Sequence, residues 1–575
     1  MTAQPAKSAS ASGVKRYVPI LSWLPLYDRS WLAFDVIAGL TLWGLVVPES
    51  MAYAGLAGLP PQAGLYTLVA GLLVYALFGT SRHLSVGPTS ATAVLLATSV
   101  AAALVAAAVD TSDVKTYVTY ASAFVLVTGV VFLLAGLAKL GFVTQFLSKP
   151  VMDGFVTGLA IFVAVGQLYK LFGVEKPGGN VPEKVLKIIQ ELPNANWTTF
   201  AIGAGALALL FLLPRLSKRL PSGLVVLFAG IGLSSALDLS GKSGVEVVGQ
   251  LPAGLPSLTV PAVPLTDYLA MILPAVAVVV VAFSEALGVA QEFAEKHGYE
   301  VDADQELVAH GATNIAGAFA GGMIAAGGMS GSAVKEGAGA RSQLASLVAW
   351  VVTIVTVLFL TPLFTTLPEA VLAAMIIHAV WHLITARKLA TLRYQAPREV
   401  WFGVAALLGV LLIDVLEGMV IGLVASLLFV VFRSSRPHVS SLGRVPGETG
   451  AYSDLTRHPG NTPVPGVLIV RPDDSLYYAN WRSVRDRVKA MIDEMPSPPR
   501  AVIFDSSNQD DLDYTSTEGI AGLVKELAGK GVEVFFVGIH APVLEQDKTG
   551  LLAPIVEGHM FPTMDEAVRR AEAPA

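Results

Sequence analysis

The chain contains Gly87-Pro88-Thr89-Ser90-Ala91-Thr92-Ala93-Val94 and, far along the sequence, Gly327-Gly328-Met329-Ser330-Gly331-Ser332-Ala333-Val334, two similar interruptions of apolar sequence. Each is followed by residues that can begin a helix. A helix that begins inside a membrane directs unpaired backbone N–H groups and the positive end of its dipole at one point. Interruptions at matching places in two halves of a chain are typical of a transporter's binding site. The pair predicts that an anionic or polar solute is held near the centre of the bilayer.

The composition is that of a polytopic membrane protein. The chain has 575 residues, of which 54% are hydrophobic and 14% charged, and its mean hydropathy is +0.63; soluble proteins are about a quarter charged. It has no cysteine, which excludes disulfides, thiolate metal sites and cysteine nucleophiles. The net charge of −6 is modest and argues against nucleic acid as a partner.

Apolar segments long enough to cross a bilayer, roughly 20 residues each, follow one another up to about Phe432. Six are free of Lys, Arg, Asp and Glu, at 84–109, 116–138, 197–213, 220–237, 268–284 and 342–368. The turn signal Gly58-Leu59-Pro60-Pro61 splits the run over 50–81 into two. With the shorter candidates, the sequence predicts about 12 to 14 crossings.

The loops between these segments alternate in charge. Basic residues cluster at Lys15, Arg16, Lys139, Lys149, Arg215, Lys218, Arg219, Arg387, Lys388, Arg393, Arg398, Arg433 and Arg436, and acidic or mixed loops lie between these clusters. Basic loops mark the cytoplasmic side. We therefore predict a multi-pass protein of the cell (inner) membrane with both termini in the cytoplasm.

The pattern changes to an alternation of strands and helices from about Gly466, which predicts a small cytoplasmic α/β domain. Predicted strands lie at 466–470, 501–505 and 532–537, and predicted helices at 479–494, 516–527, 541–551 and 564–570. The first residues are polar and lack the order of a signal peptide. We predict a disordered cytoplasmic N-terminus over 1–16, a transport domain over 17–433, a linker over 434–465 and the α/β domain over 466–575.

Several motifs resemble those of the SulP family of anion transporters, whose members carry a STAS domain after the membrane domain. The motifs include Pro48-Glu49-Ser50-Met51-Ala52-Tyr53-Ala54 and lie, in chain order, at 35–40, 48–54, 58–66, 79–88, 149–155, 306–314 and 330–345, with Asp505 and Asp513-Tyr514-Thr515-Ser516 in the tail. The resemblance covers nearly the whole chain.

The resemblance implies an α-helical fold of about fourteen membrane segments in two inverted repeats of seven, with a core domain that moves against a gate domain. It also implies a homodimer. The third and tenth segments would be half-helices whose N-termini face the substrate. The substrate-binding residues at these starts would be Gly87, Pro88, Thr89, Ser90, Ala91, Ser330, Gly331, Ser332 and Ala333.

Glu49 follows Pro48 inside an apolar segment, where a carboxylate costs about 2.5–3.5 kcal/mol on insertion scales. Ionisable groups at that depth are functional by default, so we predict a titratable proton carrier in the transport path. The alternative is a Glu near the interface, or one bonded to hydroxyls or backbone. The family commonly has Gln here. Tyr53 lies one turn later. The resemblance implies that it lines the cavity, and the alternative is that it only packs against neighbouring helices.

Glu285 is the second intramembrane carboxylate, and the resemblance places it on the eighth segment, facing the cavity. Family members use an acidic residue there to couple transport to a proton or to sodium. Sodium-coupled relatives add a hydroxyl one turn later, where this chain has Val289. Hard cations need several oxygen ligands, so we favour a proton. The alternative is a structural Glu bonded to half-helix amides.

Gly331 departs from the family, since many relatives have Arg there as the positive charge of the anion site. Lys335 lies one turn further and is expected to extend towards the cytoplasmic face. The missing Arg, together with Glu49, favours proton-coupled symport or a protonatable anion. His378 and His382 have metal-pair spacing, but they and His310 lack further ligands, so we assign no metal and no cofactor.

Asp513 is predicted to cap a helix of the STAS-like domain, whose free N–H groups would take an anion or phosphate. In related bacterial regulators the residue after this Asp is a phosphorylated Ser. Here it is Tyr514, which leaves Thr515 and Ser516 as candidate sites. We favour the alternative that this helix start serves capping and docking, to the membrane domain, a partner protomer or a cytoplasmic partner.

These residues predict a secondary active transporter of small inorganic anions and not an enzyme, with proton-coupled sulfate uptake favoured. The P-loop pattern Gly-x-x-x-x-Gly-Lys-Ser/Thr is absent from the sequence. The alternatives are a proton-coupled dicarboxylate or bicarbonate transporter and a non-transporting anion sensor that signals through the STAS domain. A nucleobase transporter of related fold is a weaker alternative.

Overall fold

The structure is a computed structural model that describes residues 17–107, 109, 113–142, 148–216, 222–252, 254–381, 383–384, 391, 393–394, 397, 399–540, 543 and 557–573. The chain divides into two compact units, Met1–Ser426 and Leu427–Ala575. The predicted N-terminal tail over 1–16 lies outside the described residues. So does the predicted helix over 541–551, apart from Val543.

The first unit is helical. Its helices are α1 (Ile20–Trp23), α2 (Leu32–Leu56), α3 (Pro61–Phe78), α4 (Ser90–Ala106), α5 (Val114–Leu137), α6 (Lys149–Phe172), α7 (Val181–Glu191), α8 (Trp197–Leu216), α9 (Ser222–Leu237), α10 (Leu239–Ser243), α11 (Leu265–Ala270), α12 (Ile272–His297), α13 (Ala303–Phe319), α14 (Met329–Gly337), α15 (Leu344–Val355), α16 (Glu369–Trp381), α17 (Val400–Leu412) and α18 (Val415–Ser434), the last of which contains the boundary between the units. Short 3₁₀ turns lie at Leu24–Leu26, Arg29–Trp31 and Leu192–Asn194.

Among the described residues, eight helical stretches are long and apolar enough to cross a membrane. They are Arg29–Leu56, Pro61–Phe78, Val114–Leu137, Lys149–Phe172, Trp197–Leu216, Ile272–His297, Leu344–Phe364 and Val415–Ser434. Four shorter apolar helices are Ser90–Ala106, Ser222–Leu237, Glu369–Trp381 and Val400–Leu412. The prediction of a polytopic helical protein is confirmed, and the count of fourteen crossings stays a prediction.

Two four-residue strands, β1 (Ser85–Pro88) and β2 (Ala325–Gly328), pair antiparallel with Ser85 opposite Gly328 and Pro88 opposite Ala325. Helix α4 follows β1 and begins at Ser90, and α14 follows β2 and begins at Met329. Both quoted stretches therefore contain a helix start, the second one residue earlier than predicted. The sequence did not predict the strands, which supply backbone partners to each other where lipid offers none.

The helix contacts repeat between the two halves of this unit. α2 packs on α15 as α12 packs on α5, α3 packs on α15 as α13 packs on α5, and α6 packs on α17 as α16 packs on α8. Each contact turns into its counterpart when α2, α3, α5, α6 and α8 are exchanged for α12, α13, α15, α16 and α17. This reciprocity is the expected consequence of two related repeats.

Glycines set the closest of these crossings. A Cβ atom added to Gly64 of α3 would collide with the Ser50 carbonyl oxygen of α2, and one added to Gly154 of α6 would collide with the backbone of Gly403 in α17. A Cβ on Gly311 of α13 would lie 2.6 Å from the Leu133 nitrogen of α5. Small residues at such crossings allow backbones to pack closely in membranes, where water provides no hydrophobic driving force between helices.

The sequence suggested one continuous helix over the apolar run 342–368, but the structure shows a helix followed by two irregular turns. α15 ends at Val355, a π turn covers Thr356–Leu360, and a 3₁₀ turn covers Thr361–Phe364. Pro362 lies in the last of these and removes a backbone donor. The Trp43 indole N–H donates to the Thr356 hydroxyl at 2.9 Å and ties the π turn to α2.

The second unit contains a six-stranded sheet in the order β4-β3-β5-β6-β7-β8. Its elements are β3 (Val439–Arg444), β4 (Tyr452–Asp454), β5 (Val467–Pro472), α19 (Trp481–Asp493), β6 (Ala501–Asp505), α20 (Tyr514–Gly529), β7 (Glu533–Val537), β8 (Met560–Phe561) and α21 (Met564–Glu572). Strands β5 to β8 are parallel, and β3 pairs antiparallel with both β4 and β5. The predicted α/β domain is confirmed.

Strands β3 and β4 lie within 434–465, the range predicted as a linker. Their hydrogen bonds to β5 and to each other come from residues distant in sequence, such as Ser441 opposite Val470, and the local pattern of β3 is too sparse in apolar residues to indicate a strand. On the sheet, Leu468 and Val470 pack with α19 and α20, whereas Val467 and Ile469 pack with α21. The alternation gives the sheet two apolar faces.

Asp513 caps α20, as predicted. Its carboxylate accepts hydrogen bonds from the Ser516 N–H at 2.8 Å and the Tyr478 N–H at 2.7 Å. Partial burial alone would raise the pKa of Asp513, but these hydrogen bonds outweigh it and the pKa is lowered below its ordinary value. Thr515 is exposed and Ser516 is fully buried, so of these two candidate sites the Thr515 hydroxyl is the accessible one.

We expect Gly64→Ala to destabilise the first unit by about 1–3 kcal/mol, because the added methyl group forces the backbones of α3 and α2 apart. Gly166→Ala is the matched control, since nothing lies within 4 Å of its added Cβ. The apparent melting temperature in detergent, followed by size-exclusion chromatography, should fall for Gly64→Ala only. Equal melting temperatures would contradict the close crossing.

We expect Asp513→Ala to cost about 0.5–2 kcal/mol of local stability at neutral pH, measured as lost hydrogen-exchange protection in the first turn of α20. Glu518→Ala, an exposed carboxylate on the same helix, should leave that protection unchanged. Because the pKa of Asp513 is lowered by folding, its contribution is present above about pH 4 and is lost as the pH falls further. A difference between the two variants that persists below pH 2 would argue against the charged cap.

Candidate functional site

A cavity of about 60 Å³ lies where α4 and α14 begin. Its walls come from α2, α3, α12, the two strand–helix junctions and the end of α16. The lining residues are Val46, Glu49, Ser50, Tyr53, Leu68, Ser85, Gly87, Pro88, Thr89, Ser90, Glu285, Ala326, Gly328, Met329, Ser330, Gly331, Ala379 and Leu383. The pairing of β1 with β2 therefore brings two distant parts of the chain to one cavity.

Most of the predicted site residues meet in this cavity. Those that line it are Glu49, Tyr53, Gly87, Pro88, Thr89, Ser90, Glu285, Ser330 and Gly331. Ala91, Ser332 and Ala333 are not among the lining residues: Ala91 is buried in the core, and Ala333 is on an exposed side of α14. A helix presents only part of its first turn to one point, which the linear motif does not indicate.

The start of α4 is closed by its own side chains. The Thr92 N–H donates to the Thr89 hydroxyl at 3.2 Å, and the Thr89 N–H donates to the Thr92 hydroxyl at 3.1 Å. This is a reciprocal capping box, which satisfies two backbone N–H groups at the start of the helix. The Thr89 hydroxyl, predicted as a donor to the solute, is engaged in the cap.

The start of α14 is open by comparison. Its N-cap residue is Gly328, and no side chain caps the helix. The Ser332 hydroxyl donates to the Gly328 carbonyl oxygen at 2.7 Å and accepts from the Ser85 N–H at 2.9 Å. Ser332 thus holds β1 against α14, and the uncapped amides at Met329, Ser330 and Gly331 are left at the cavity wall.

Glu49 lies on α2 next to this open helix start. It is buried, and its Oε2 accepts a hydrogen bond from the Ser330 hydroxyl at 3.3 Å. Tyr53 and Glu285 line the same cavity. A carboxylate already lies where an incoming anion would meet α14.

Glu285 reaches the cavity from α12 and is only partly buried. No hydrogen bond of its carboxylate is found within the part of the chain that the structure describes, so the alternative of a structural Glu held by half-helix amides gains no support. Val289, one turn later, is buried in an apolar cluster with Tyr75 and Leu84. That position offers no side-chain oxygen to a cation.

Lys335 does not extend to the cytoplasmic face, and that prediction is wrong. Its side chain is fully buried. The ammonium donates to Ser346 Oγ at 2.8 Å, Gln343 Oε1 at 2.9 Å and the Leu84 carbonyl oxygen at 3.3 Å. These acceptors come from separate parts of the chain, and helical spacing alone did not reveal them.

Sequence reasoning missed several lining residues. Ser85 lies two residues before the first quoted stretch, and Gly328 lies within the second. The pairing of β1 with β2 would have identified both. Ala379 and Leu383 are ordinary apolar residues and carry no signal. At Gly331, an added Cβ would lie 3.2 Å from the Ser85 hydroxyl oxygen and 3.3 Å from Val46 Cγ1, so a larger side chain would be crowded.

His310 and His378, the two described members of the histidine set that the sequence singled out, have separate surroundings. His310 is buried, with Nδ1 2.8 Å from the Glu306 carbonyl oxygen, and His378 packs against the Phe211 ring. His382 lies outside the described residues. In the ranges that the structure covers, no group of three or more His, Cys, Asp or Glu side chains is placed to hold a metal ion.

Comparison with known proteins gives consistent matches. Residues 32–406 match the sulfate permease family model, and residues 459–567 match the STAS domain. The chain is 34% identical over 544 residues to a "probable sulfate transporter" of Mycobacterium tuberculosis, with 94% of this chain and 96% of that protein covered. It is 29% identical over 583 residues to "High affinity sulfate transporter 1" of Stylosanthes hamata, with 97% and 86% covered.

A solved structure agrees in fold. The murine "Solute Carrier 26 family member A9 (Slc26a9) anion transporter in the inward-facing state" superposes with a TM-score of 0.89 at 26% sequence identity, and covers 99% of this chain and 97% of that one. The fold of the chain is thus a known architecture. The chain belongs to the sulfate permease family and carries its STAS domain.

Proposed function

We propose that the chain is a secondary active transporter of small inorganic anions, and that its favoured reaction is proton-coupled uptake of sulfate. The observation that carries the proposal is the cavity at which α4 and α14 both begin, with two carboxylates in its wall. Relatives named as sulfate transporters and the anion transporter of related structure support the substrate class.

The backbone supplies the attraction for the anion. The lining residues that the structure describes include no Lys, Arg or His side chain. Positive potential at the cavity comes instead from the N-terminal ends of two helices, which favour anions. The uncapped first turn of α14, with Ser330 and Gly331, offers N–H groups to an oxyanion.

The carboxylates supply the coupling. Two like charges about 5 Å apart repel by roughly 3 kcal/mol at an effective dielectric constant near 20, so ionised Glu49 and Glu285 oppose anion entry. Their protonation removes this repulsion. By linkage, anion binding then favours proton binding to the same extent.

The two carboxylates have different surroundings. Glu285 takes a proton without losing a hydrogen bond within the described residues. Glu49 accepts from Ser330, and a protonated Glu49 can instead donate to a bound oxyanion. We assign proton coupling to Glu285 first and to Glu49 second.

Substrate-binding roles for Glu49, Tyr53 and the half-helix starts follow from the same proposal. The homodimer, the inner-membrane location, the cytoplasmic termini and a partner for the STAS domain stay predictions from the sequence. A proton-coupled dicarboxylate or bicarbonate transporter and a non-transporting sensor are the competing outcomes of the experiment below.

We expect purified protein in proteoliposomes to accumulate labelled sulfate when the outside is more acidic than the lumen. With the membrane potential clamped to zero, a gradient of one pH unit drives about tenfold accumulation of the anion for each proton cotransported with it. Labelled succinate and bicarbonate are tested in parallel. Greater uptake of either would change the substrate, and binding without flux would identify a sensor.

We expect Glu285→Gln to abolish proton-driven accumulation, a loss of at least about tenfold, while anion exchange at equal pH on both sides persists, because the neutral amide mimics the protonated form. Glu49→Gln should weaken the pH dependence less. Glu292→Gln, another glutamate on α12 outside the cavity lining, is the control. Accumulation by Glu285→Gln at the wild-type level would refute coupling through this residue.

A further inference from the structure

We propose that Lys335 supplies the positive charge of the anion site, as a buried ammonium that strengthens anion binding without touching the anion. The inference rests on the proposed function and deepens it. Lys335 would be a positioning and specificity-determining residue, which acts through the electric field at the start of α14.

Three oxygen atoms surround the Lys335 nitrogen, an arrangement that a protonated lysine can satisfy in full. A protonated lysine has three N–H donors and no acceptor, and its Nζ faces three oxygen atoms, on Leu84, Gln343 and Ser346. The Leu84 carbonyl oxygen and Gln343 Oε1 can only accept. The Gln343 amide group is oriented by its own bonds to the Ser81 and Leu84 carbonyl oxygens at 2.6 and 2.9 Å, which leaves Oε1 free to face the ammonium.

The charge has no contacting counter-ion within the described ranges. The buried carboxylate of Asp35 is engaged elsewhere, with the Arg341 N–H at 2.7 Å and the Ser342 hydroxyl at 2.7 Å. Asp35 precedes Glu49 by fourteen residues on α2, or about 21 Å along a helix axis at 1.5 Å per residue. Its negative charge is therefore remote from the cavity.

Lys335 itself is near the cavity. It follows Gly331 by four residues on α14, or about 6 Å along the axis. It also bonds to Leu84, the residue before β1. The ammonium thus lies behind both strand–helix junctions and is shielded from solvent, where salt screens a charge much less than at the surface.

The surroundings of Gly331 explain this placement. A Cβ added at Gly331 would lie 3.2 Å from the Ser85 hydroxyl oxygen and 3.3 Å from Val46 Cγ1, so a side chain there requires these neighbours to shift slightly. One turn later, the acceptors on Leu84, Gln343 and Ser346 provide a cage. A cation in the cage also partly offsets the negative charge of Glu49 and Glu285 in the lining.

We expect Lys335→Met to raise the Kd and the KM for sulfate about tenfold while leaving the maximal exchange rate within about twofold. The interaction energy scales with the charge of the ligand, so it is half as large for a monovalent anion such as nitrate as for sulfate. The affinity for nitrate should therefore fall only about threefold, the square root of tenfold. Lys335→Arg should keep both values within about threefold. Ser346→Ala, which removes one acceptor but keeps the charge, is the matched control and should stay within twofold.

A second variant tests the charge with the lysine in place. Ser346→Asp puts a carboxylate beside the ammonium and should lower sulfate affinity as Lys335→Met does, even if the Met variant fails to fold. Unchanged affinity in folded Lys335→Met or Ser346→Asp would overturn the inference, as would equal losses for sulfate and nitrate. If the wild type neither binds nor transports any anion tested, the proposed function fails instead. Equilibrium binding of labelled sulfate separates these cases, because it reports affinity even without transport.

Discussion

The first unit depends on the satisfaction of backbone groups in its interior, where α4 and α14 begin. Lipid offers no hydrogen-bond partners, and an unpaired amide or carbonyl there costs several kcal/mol. Strands β1 and β2 resolve this by bonding to each other, with Val86 opposite Gly327 and Gly87 opposite Ala326. The Ser332 hydroxyl completes the junction through Ser85 and Gly328. Amides beyond this pairing, in the first turn of α14, are left for a solute.

Buried charges around this junction are stabilised by neutral groups and not by ion pairs. Glu306 accepts from Tyr75 at 2.8 Å and from the Thr80 hydroxyl and N–H at 2.6 and 2.7 Å, and Asp35 and Lys335 are held in the same way. Such networks cost more to disturb than a surface ion pair, because each member loses a partner that water cannot replace. They fix loops from distant parts of the chain to one another. The cavity carboxylates are the exceptions, since Glu49 has one weak bond and Glu285 has none within the described residues.

The sequence predicted what depends on composition and local spacing. It identified the membrane class, the α/β tail, the start of α4 and the two carboxylates of the cavity, because each has a local signal such as an apolar run or a charge inside it. It did not predict β1 and β2, since four residues of Ser, Val, Ala, Gly and Pro resemble a loop. It placed Lys335 wrongly for a related reason: Leu84 and Ser346 become its acceptors only after the chain has folded.

The strand pair also has a consequence for how the protein is made. β1 and β2 are about 240 residues apart in the chain, and ribosomes add roughly 5–20 residues per second. The first half therefore enters the bilayer roughly 12 to 50 seconds before its complement exists. Throughout that interval Val86 and Gly87 present an unmatched edge, and the insertion machinery or surrounding water must shelter it until the second half arrives.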